Sequence, residues 1–263
     1  MNLRCLLKGV DIVSMCGADN REIRAVTNDH RDVKPGYLFV CYAGVTVDGH
    51  NFISQALQKG AVAIVGERLL AGAISADSAY IETADARLAL SLIAANWHNR
   101  IHEKLKLIGV TGTNGKTSTA YLVHSIFKAA GRQSAIMGTV GHRYGNVSMP
   151  AVTTTPDALT LHGLFCQIAN AGLKYVIMET SSQGLAQRRL AGLTFETAAF
   201  TNLTQDHLDY HKTMEEYLDA KIMLFHQICR VNGLALLNAD DQASDVIRQK
   251  TAAPICTYGI EKS

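Results

Sequence analysis

The sequence of 263 residues lacks the features that mark several special classes of protein. Its 25 Lys and Arg residues nearly balance 23 Asp and Glu residues, so the charge indicates neither a nucleic-acid partner nor an anionic membrane. No apolar run approaches the length of a membrane span. Lys8 and Asp11 interrupt the apolar N-terminus, which argues against a secretory signal peptide. We therefore expect a cytoplasmic protein.

The cysteines provide no framework for the fold. Six cysteines are dispersed along the chain without a C-x-x-C pair. This distribution is typical of buried thiols in a reducing compartment, and a disulfide or zinc framework is the weaker interpretation. Hydrophobic residues make up 48% and charged residues 18% of the chain, which is the composition of an ordinary globular protein.

Strand-like and helix-like segments alternate along nearly the whole chain, which predicts an α/β protein with a mainly parallel sheet. A polar stretch at residues 97–104 breaks the alternation, so we predict two domains, 1–104 and 105–263. The predicted strands are 37–40, 61–65, 79–82, 105–110, 134–140, 174–179, 196–201, 233–237 and 254–258. The predicted helices are 52–59, 86–98, 117–130, 157–171, 214–230 and 241–250.

Two of these helices have a recognisable start. Thr155 is predicted to cap the helix 157–171, with Pro156 in the first helical position and Asp157 facing the positive end of the helix dipole. Thr213 and Glu216 match a capping box.

A glycine-rich segment from Gly109 to Thr119 lies between a predicted strand and a predicted helix. Such a turn presents backbone N–H groups and the positive end of a helix dipole to phosphate groups. Its glycines are Gly112 and Gly115, and their spacing departs from the standard G-x-x-x-x-G-K-[ST] pattern. Lys116 can nevertheless reach the β- and γ-phosphates, and the Thr117 hydroxyl can bind Mg²⁺. The segment therefore predicts a nucleoside-triphosphate site.

Polar side chains follow two other predicted strands. Glu179 ends the strand 174–179, where a carboxylate could hold a nucleotide's metal ion or merely lie at the start of a helix. Two acids and two histidines crowd the segment 206–211 after the next strand. Because ligands bind beyond the carboxyl ends of parallel strands, we expect at least one of these four to bind metal or phosphate.

Lys221 lies inside an apolar predicted helix. A lysine in such a place either extends its ammonium group to water or is buried with a lowered pKa, and the sequence leaves both interpretations open. Hydroxyl and guanidinium groups in the segments 153–156 and 187–189 suit phosphate or sugar recognition, although each segment alone is weak evidence.

Together these segments resemble the Mur ligase family, the cytoplasmic ATP-dependent ligases that build the peptide of peptidoglycan. The chain is most similar to the members that add the third amino acid, and the resemblance runs along essentially its whole length. It rests on six ordered motifs, at 27–31 with 35–40, 109–119, 153–156, 179–185, 202–211 and 217–221.

The resemblance implies a role for each motif. The residues that would bind ATP are Gly112, Thr113, Asn114, Gly115, Lys116, Thr117 and Ser118. The implied catalytic residues are Lys116, Glu179, His207 and Lys221, and the implied Mg²⁺ ligands are Thr117, Glu179, His207 and a carbamate formed on Lys221. The UDP-MurNAc-dipeptide would be held by Thr153, Thr154, Thr155, Ser181, Gln187 and Arg189, with its uridine near Asn28, His30 and the turn 45–47 that contains Thr46.

The implied reaction joins an amino acid to UDP-N-acetylmuramoyl-L-alanyl-D-glutamate. ATP would phosphorylate the substrate carboxylate, and the amine of the amino acid would displace phosphate from the acyl phosphate. The implied partners are these small molecules alone, with no partner protein. His30 and Gln183 depart from the family pattern, which usually has Ser and His at these positions.

Family members also carry a third domain that binds the incoming amino acid. We expect this chain to lack that domain and to end before its central domain is complete, so the sequence does not indicate which amino acid is added. The alternative to a ligase is a truncated remnant that binds ATP or the UDP-sugar without turnover. A folylpolyglutamate-type ligase or a small-molecule kinase ranks lower, because neither explains residues 1–104.

Overall fold

The computed structural model describes residues 1–44, 46–68, 78–228 and 233–261. The chain divides into two compact units, Met1–Arg100 and Ile101–Ser263. The division falls slightly before residue 104 because Ile101–Lys104 form a 3-10 turn that packs in the second unit. None of the helices in the described segments combines the length and apolar character that a membrane crossing requires.

The first unit is built on a five-stranded sheet with the order β1-β5-β4-β3-β2. Strand β1 is antiparallel to β5, and the other neighbours are parallel. The strands are β1 (Ser14–Cys16), β2 (Ala25–Thr27), β3 (Tyr37–Val40), β4 (Ala63–Gly66) and β5 (Ala79–Glu82), and the helices are α1 (Leu3–Leu6), α2 (Ile53–Gln58) and α3 (Ala86–Trp97). The apolar strands β3, β4 and β5 confirm the prediction, whereas β1 and β2 are three-residue strands too short to show a period.

The second unit is built on an eight-stranded sheet with the order β13-β12-β11-β6-β10-β7-β8-β9. Six strands are parallel, and β8 and β9 form an antiparallel edge. The strands are β6 (Lys106–Thr111), β7 (Ser134–Gly138), β8 (Gly141–Tyr144), β9 (Val147–Met149), β10 (Tyr175–Glu179), β11 (Phe195–Phe200), β12 (Leu234–Asn238) and β13 (Ile255–Tyr258). The six parallel strands were all predicted, so the α/β class with a mainly parallel sheet is confirmed.

Helices cover both faces of this larger sheet. They are α4 (Lys116–Ala129), α5 (Ala158–Asn170), α6 (Ser182–Ala186), α7 (Leu208–His211), α8 (Met214–His226) and α9 (Ala243–Lys250). Successive residues of β10 point to opposite faces: Val176 belongs to the core cluster that contains residues of α5, α8 and α9, and Ile177 belongs to the cluster that contains residues of α4. The predicted helix 214–230 is shorter, ending at His226, and its residues 229–230 lie outside the described residues.

The two predicted helix starts have different outcomes. The side chain of Thr213 accepts a hydrogen bond from the Glu216 N–H at 3.1 Å, so the Thr213 cap is confirmed. For α5, Thr155 was wrongly predicted as the cap, because Asp157 is the N-cap residue and accepts from the Thr160 N–H at 3.1 Å. Pro156 lies before the helix, and the Thr155 hydroxyl donates instead to the Glu179 carbonyl at 3.0 Å.

The packing predicts very different costs for two leucine truncations on helices of the second unit. Leu161 on α5 is fully buried, whereas Leu122 on α4 is 64% exposed. We expect Leu161→Ala to lower the free energy of unfolding by about 2–5 kcal/mol and the matched control Leu122→Ala to change it by less than about 0.5 kcal/mol. Denaturant unfolding measures both values. Equal losses in the two variants would contradict the assignment of the core.

Candidate active site

The glycine-rich loop joins β6 to α4. Gly115 caps α4 with a φ of +83°, a left-handed conformation that favours glycine. Gly112 has a φ of +143°, and a Cβ there would lie 1.9 Å from Thr201 Oγ1. Only glycine therefore fits between the loop and the segment that follows β11.

Side chains after β11 hold the loop in place. Thr201 Oγ1 donates to the Asn114 carbonyl at 2.6 Å, and the Asn114 N–H donates to Asn202 Oδ1 at 3.0 Å. The Thr113 hydroxyl donates to the Thr204 carbonyl at 3.1 Å. These hydrogen bonds give the loop a fixed shape.

Lys116 folds back over this loop. Its Nζ donates to the carbonyls of Gly112 and Thr113 at 2.8 and 2.7 Å. Burial lowers the pKa of Lys116, while Glu179 and Asp206 act in the opposite direction. A phosphate group at the loop would offer this ammonium a stronger, charged acceptor than the two carbonyls.

Glu179 ends β10 with its side chain only 1% exposed. Its Oε2 accepts from the hydroxyls of Thr117 at 2.8 Å and Thr139 at 3.1 Å, and its Oε1 accepts from the Thr139 N–H at 3.0 Å. A Cβ on Gly138 would lie 1.9 Å from Oε1, so the end of β7 has room for this carboxylate only because residue 138 is glycine. The carboxylate is therefore fixed beside the first turn of α4.

Lys221 is 1% exposed, which decides between the two interpretations of this lysine in favour of burial. Its Nζ lies 4.0 Å from the centre of the Tyr217 ring. Burial and, to a smaller extent, the nearby Lys116 lower the pKa of Lys221 to about 7, although Asp206 opposes the shift. A substantial fraction of this amine is therefore neutral near pH 7.

The acids and histidines of the segment 206–211 separate into different surroundings. His207 is the N-cap residue of α7, with a φ of 53°. Its side chain is 43% exposed, and its Nε2 lies 3.4 Å from the Asp206 carboxylate. His211 is buried, with Nε2 2.9 Å from Ser182 Oγ. Burial and the charge of Lys221 lower the pKa of His211. His207 faces the site, and His211 joins α7 to α6.

One cavity of about 250 Å³ brings most of the predicted residues together. Its lining includes the predicted residues Thr113, Asn114, Gly115, Lys116, Thr117, Ser118, Thr154, Glu179, Ser181, His207 and Lys221. It also includes Thr139, Ser182 and Tyr217, to which the sequence assigned no role. Thr139 follows the carboxyl end of β7, so the same strand-end rule that selected Glu179 could have found it. Tyr217 precedes Lys221 by four residues, one helical turn, on α8.

The remaining substrate-binding candidates of the second unit are connected to this cavity through Thr155, which contacts Ser181. The Thr155 hydroxyl accepts from the Ser181 N–H at 2.9 Å, and Arg189 Nη1 donates to the Thr155 carbonyl at 2.6 Å. Arg189 Nη2 donates to Gln187 Oε1 at 2.7 Å. Thr153 and Arg189 line a second cavity of about 350 Å³. No carboxylate pairs with the Arg189 guanidinium among the residues that the structure describes, so this group can receive an anion.

The three uridine candidates belong to the first unit. The His30 ring stacks on Phe52 with centroids 3.8 Å apart, so one of its faces is covered. Asn28 Nδ2 donates to the Tyr42 hydroxyl at 2.9 Å. Thr46 is exposed in a turn closed by a Gly44 N–H to Val47 carbonyl hydrogen bond of 2.9 Å, and Val45 lies outside the described residues.

A divalent cation fits the donors of the 250 Å³ cavity. Within the described ranges, no three side chains from His, Cys, Asp and Glu converge as a complete cation site. Glu179 and the Thr117 hydroxyl nevertheless offer two oxygen atoms at the loop that would hold phosphate. Mg²⁺ typically takes one or two carboxylates and completes its shell with substrate phosphates and water, so an incomplete protein shell is the expected arrangement.

Comparison with known families decides the relationship. The sequence model of the Mur ligase middle domain matches residues 110–263, and that of the Mur ligase family catalytic domain matches residues 22–97. The chain belongs to the Mur ligase family. The resemblance in the six motifs is therefore confirmed.

Among its Mur ligase relatives, the chain is 44% identical to the UDP-N-acetylmuramoyl-L-alanyl-D-glutamate--2,6-diaminopimelate ligase of Geobacillus thermodenitrificans, covering 100% of this chain and 54% of that protein. The protein of the same name from Parabacteroides distasonis is 42% identical, with 99% and 53% covered. A solved structure of a ligase of this name has a TM-score of 0.81 at 28% identity, covering 100% of this chain and 53% of that chain. The chain spans about half the length of the curated relatives it matches.

The lowered pKa of Lys221 predicts a pH-dependent folding penalty that a Lys221→Met variant lacks. Between pH 7 and the ordinary lysine pKa of 10.5, the unfolded chain keeps a proton that the folded chain releases, so stability rises with pH. Relative to Lys221→Met, the wild-type unfolding free energy should rise by up to about 1.4 kcal/mol per pH unit in this range and level off below it. Denaturant unfolding of both chains from about pH 6 to about pH 9.5 measures the difference. Parallel curves would show that Lys221 is charged in the folded protein.

Proposed function

We propose that this chain carries the nucleotide-binding and acceptor-binding parts of an ATP-dependent ligase that adds the third amino acid to UDP-N-acetylmuramoyl-L-alanyl-D-glutamate. The relatives' names give 2,6-diaminopimelate as that amino acid, and we extend it to this chain on the strength of their identity. The observation that carries the proposal is the single cavity shared by the glycine-rich loop, Glu179, His207 and Lys221.

The nucleotide is assigned to the loop from Gly112 to Ser118. The N-terminus of α4 supplies unpaired backbone N–H groups and a positive dipole end, which together favour phosphate. Lys116 needs only to exchange two carbonyl acceptors for phosphate oxygens. Mg²⁺ held by Glu179 and Thr117 would neutralise charge on the phosphates.

The acceptor is assigned to the residues next to this loop. Arg189, which has no carboxylate partner in the described part of the chain, suits an acidic group of the UDP-MurNAc-dipeptide. The other residues proposed for this substrate are Thr153, Thr154, Thr155, Ser181 and Gln187, with Asn28, His30 and Thr46 for its uridine. The acceptor carboxylate would take the γ-phosphoryl group and then lose phosphate to the attacking amine. Positioning and electrostatics would do most of this catalysis, since no enzyme nucleophile is required.

Lys221 is assigned a carbamate. A neutral amine attacks CO₂, forming an N–C bond and releasing a proton, and the product is an anionic oxygen ligand. The lowered pKa of Lys221, about 7, supports this reaction because the reactive neutral form is abundant near neutral pH. His207, which is 43% exposed and lines the same cavity, would complete the ligands.

Binding of MgADP to the chain tests the nucleotide assignment. We expect Lys116→Ala to weaken binding by about 10- to 100-fold, because a charged hydrogen bond to phosphate is lost. Lys128→Ala, at the exposed C-terminal end of the same helix, is the matched control and should bind like wild type. Isothermal titration calorimetry measures all three affinities.

A ligase assay tests the reaction. Because the chain spans about half the length of its relatives, the assay combines it with the part of a relative that it does not cover. ATP, Mg²⁺, UDP-N-acetylmuramoyl-L-alanyl-D-glutamate and 2,6-diaminopimelate should then release phosphate, and omission of either acceptor or amino acid should abolish the release. Binding of nucleotide or UDP-sugar without turnover would favour the non-catalytic alternative. Absence of turnover together with absence of nucleotide and UDP-sugar binding would refute the proposal.

A further inference from the structure

We propose that Thr139 is the positioning residue of this site: it fixes the Glu179 carboxylate for a divalent cation and connects it to Thr154 of the acceptor segment. The proposal rests on the proposed function for the identity of the cation and the acceptor. Thr139 lies one residue beyond β7 and makes contacts with both sides of the site.

The hydrogen bonds around Thr139 have only one possible direction. An ionised carboxylate can only accept, so the single hydroxyl proton of Thr139 goes to Glu179 Oε2, 3.1 Å away. Thr154 Oγ1 lies 3.0 Å from Thr139 Oγ1, and Thr154 must therefore be the donor of that bond. The chain of donors runs from Thr154 through Thr139 to Glu179.

The number of hydrogen bonds to each carboxylate oxygen of Glu179 shows which oxygen keeps a free lone pair for a cation. Oε2 accepts two hydroxyl protons, from Thr117 and Thr139, which occupy both of its lone pairs. Oε1 accepts only the Thr139 N–H and keeps one lone pair. Thr139 thus orients the carboxylate so that Oε1 is the oxygen with a lone pair left for a cation.

The backbone before Thr139 supports the same arrangement. Gly138 allows the carboxylate to approach within a distance that any side chain would block. The Thr139 N–H and O–H then bind the two carboxylate oxygens in a two-point contact, which fixes both the position and the rotation of the group. Groups that orient a metal-binding carboxylate in this way typically change metal affinity by about 10- to 100-fold when they are lost.

Titration of the chain with Mn²⁺ alone, followed by the electron paramagnetic resonance of free Mn²⁺, tests the assignment. Thr139→Val keeps the shape and the backbone N–H but removes the hydroxyl, and should weaken Mn²⁺ binding about tenfold. Thr139→Ser restores a hydroxyl and should stay within about twofold of wild type. Thr197→Val on β11, away from the cavity lining, is the matched control and should be unchanged.

A double-mutant cycle tests the link to Thr154. Thr154→Val should weaken Mn²⁺ binding about twofold, since Thr139 loses the donor that fixes its hydroxyl. The double variant should bind no more weakly than Thr139→Val alone, because Thr154 acts through Thr139. Additive losses would refute this link.

The Mn²⁺ and MgADP measurements distinguish the proposal for Thr139 from the proposed ligase function. Equal Mn²⁺ affinity in wild type and Thr139→Val, or no Mn²⁺ binding by the wild-type chain, overturns the role of Thr139. Loss of Mn²⁺ affinity in Thr139→Val together with no binding of MgADP by wild type would support Thr139 and refute the proposed ligase.

Discussion

The buried carboxylate of Glu179 is the constraint on which the rest of the site depends. A charge that is 1% exposed is costly unless hydrogen bonds or cations compensate it, and no cation pairs with it among the residues described. The hydrogen-bond donors to Glu179 come from the first turn of α4 and from the end of β7. The strands β6, which leads to α4, and β7 lie on either side of β10. The parallel pairing of β10 with β6 and with β7 brings these three chain segments together at one edge of the sheet.

The glycine-rich loop depends on the neighbouring segment as much as on its own sequence. Thr201 and Asn202, which follow β11, bind both sides of Asn114. Gly112 allows this contact, since any Cβ would overlap the Thr201 hydroxyl. The shape of the loop is thus set by the pairing of β11 with β6, without any ligand.

The sequence predicts the elements whose signals are local and strong. The parallel strands are long apolar runs, and Glu179 stands out as a charge at the end of one. The hairpin of β8 and β9 is missed because His142 and Arg143 give it a polar composition, although His142 is buried. Thr155 is wrongly predicted as a cap because its sequence neighbours suit a helix start, whereas its hydroxyl is used by the Glu179 backbone. Such a tertiary contact cannot be recognised from the spacing of residues along the sequence.

The burial of Lys221 is another feature that the sequence alone does not determine. Helix α8 has apolar residues on more than one face, so the sequence cannot say which face meets the sheet. The packing decides it, and places the amine against Tyr217 within the field of Lys116. The roles of the individual residues remain predictions, because family membership identifies the fold and does not show which ligand each side chain binds.

The two lysines Lys116 and Lys221 also link modification of Lys221 to cation binding in the proposed ligase. Burial, together with repulsion from the Lys116 ammonium in the same cavity, lowers the pKa of Lys221 and favours its neutral, reactive form. A carbamate there would replace that repulsion by attraction to Lys116. It would also lie against the electron-rich face of Tyr217, which disfavours an anion. A divalent cation between the carbamate and Glu179 would offset this cost, so modification of Lys221 and cation binding should stabilise each other.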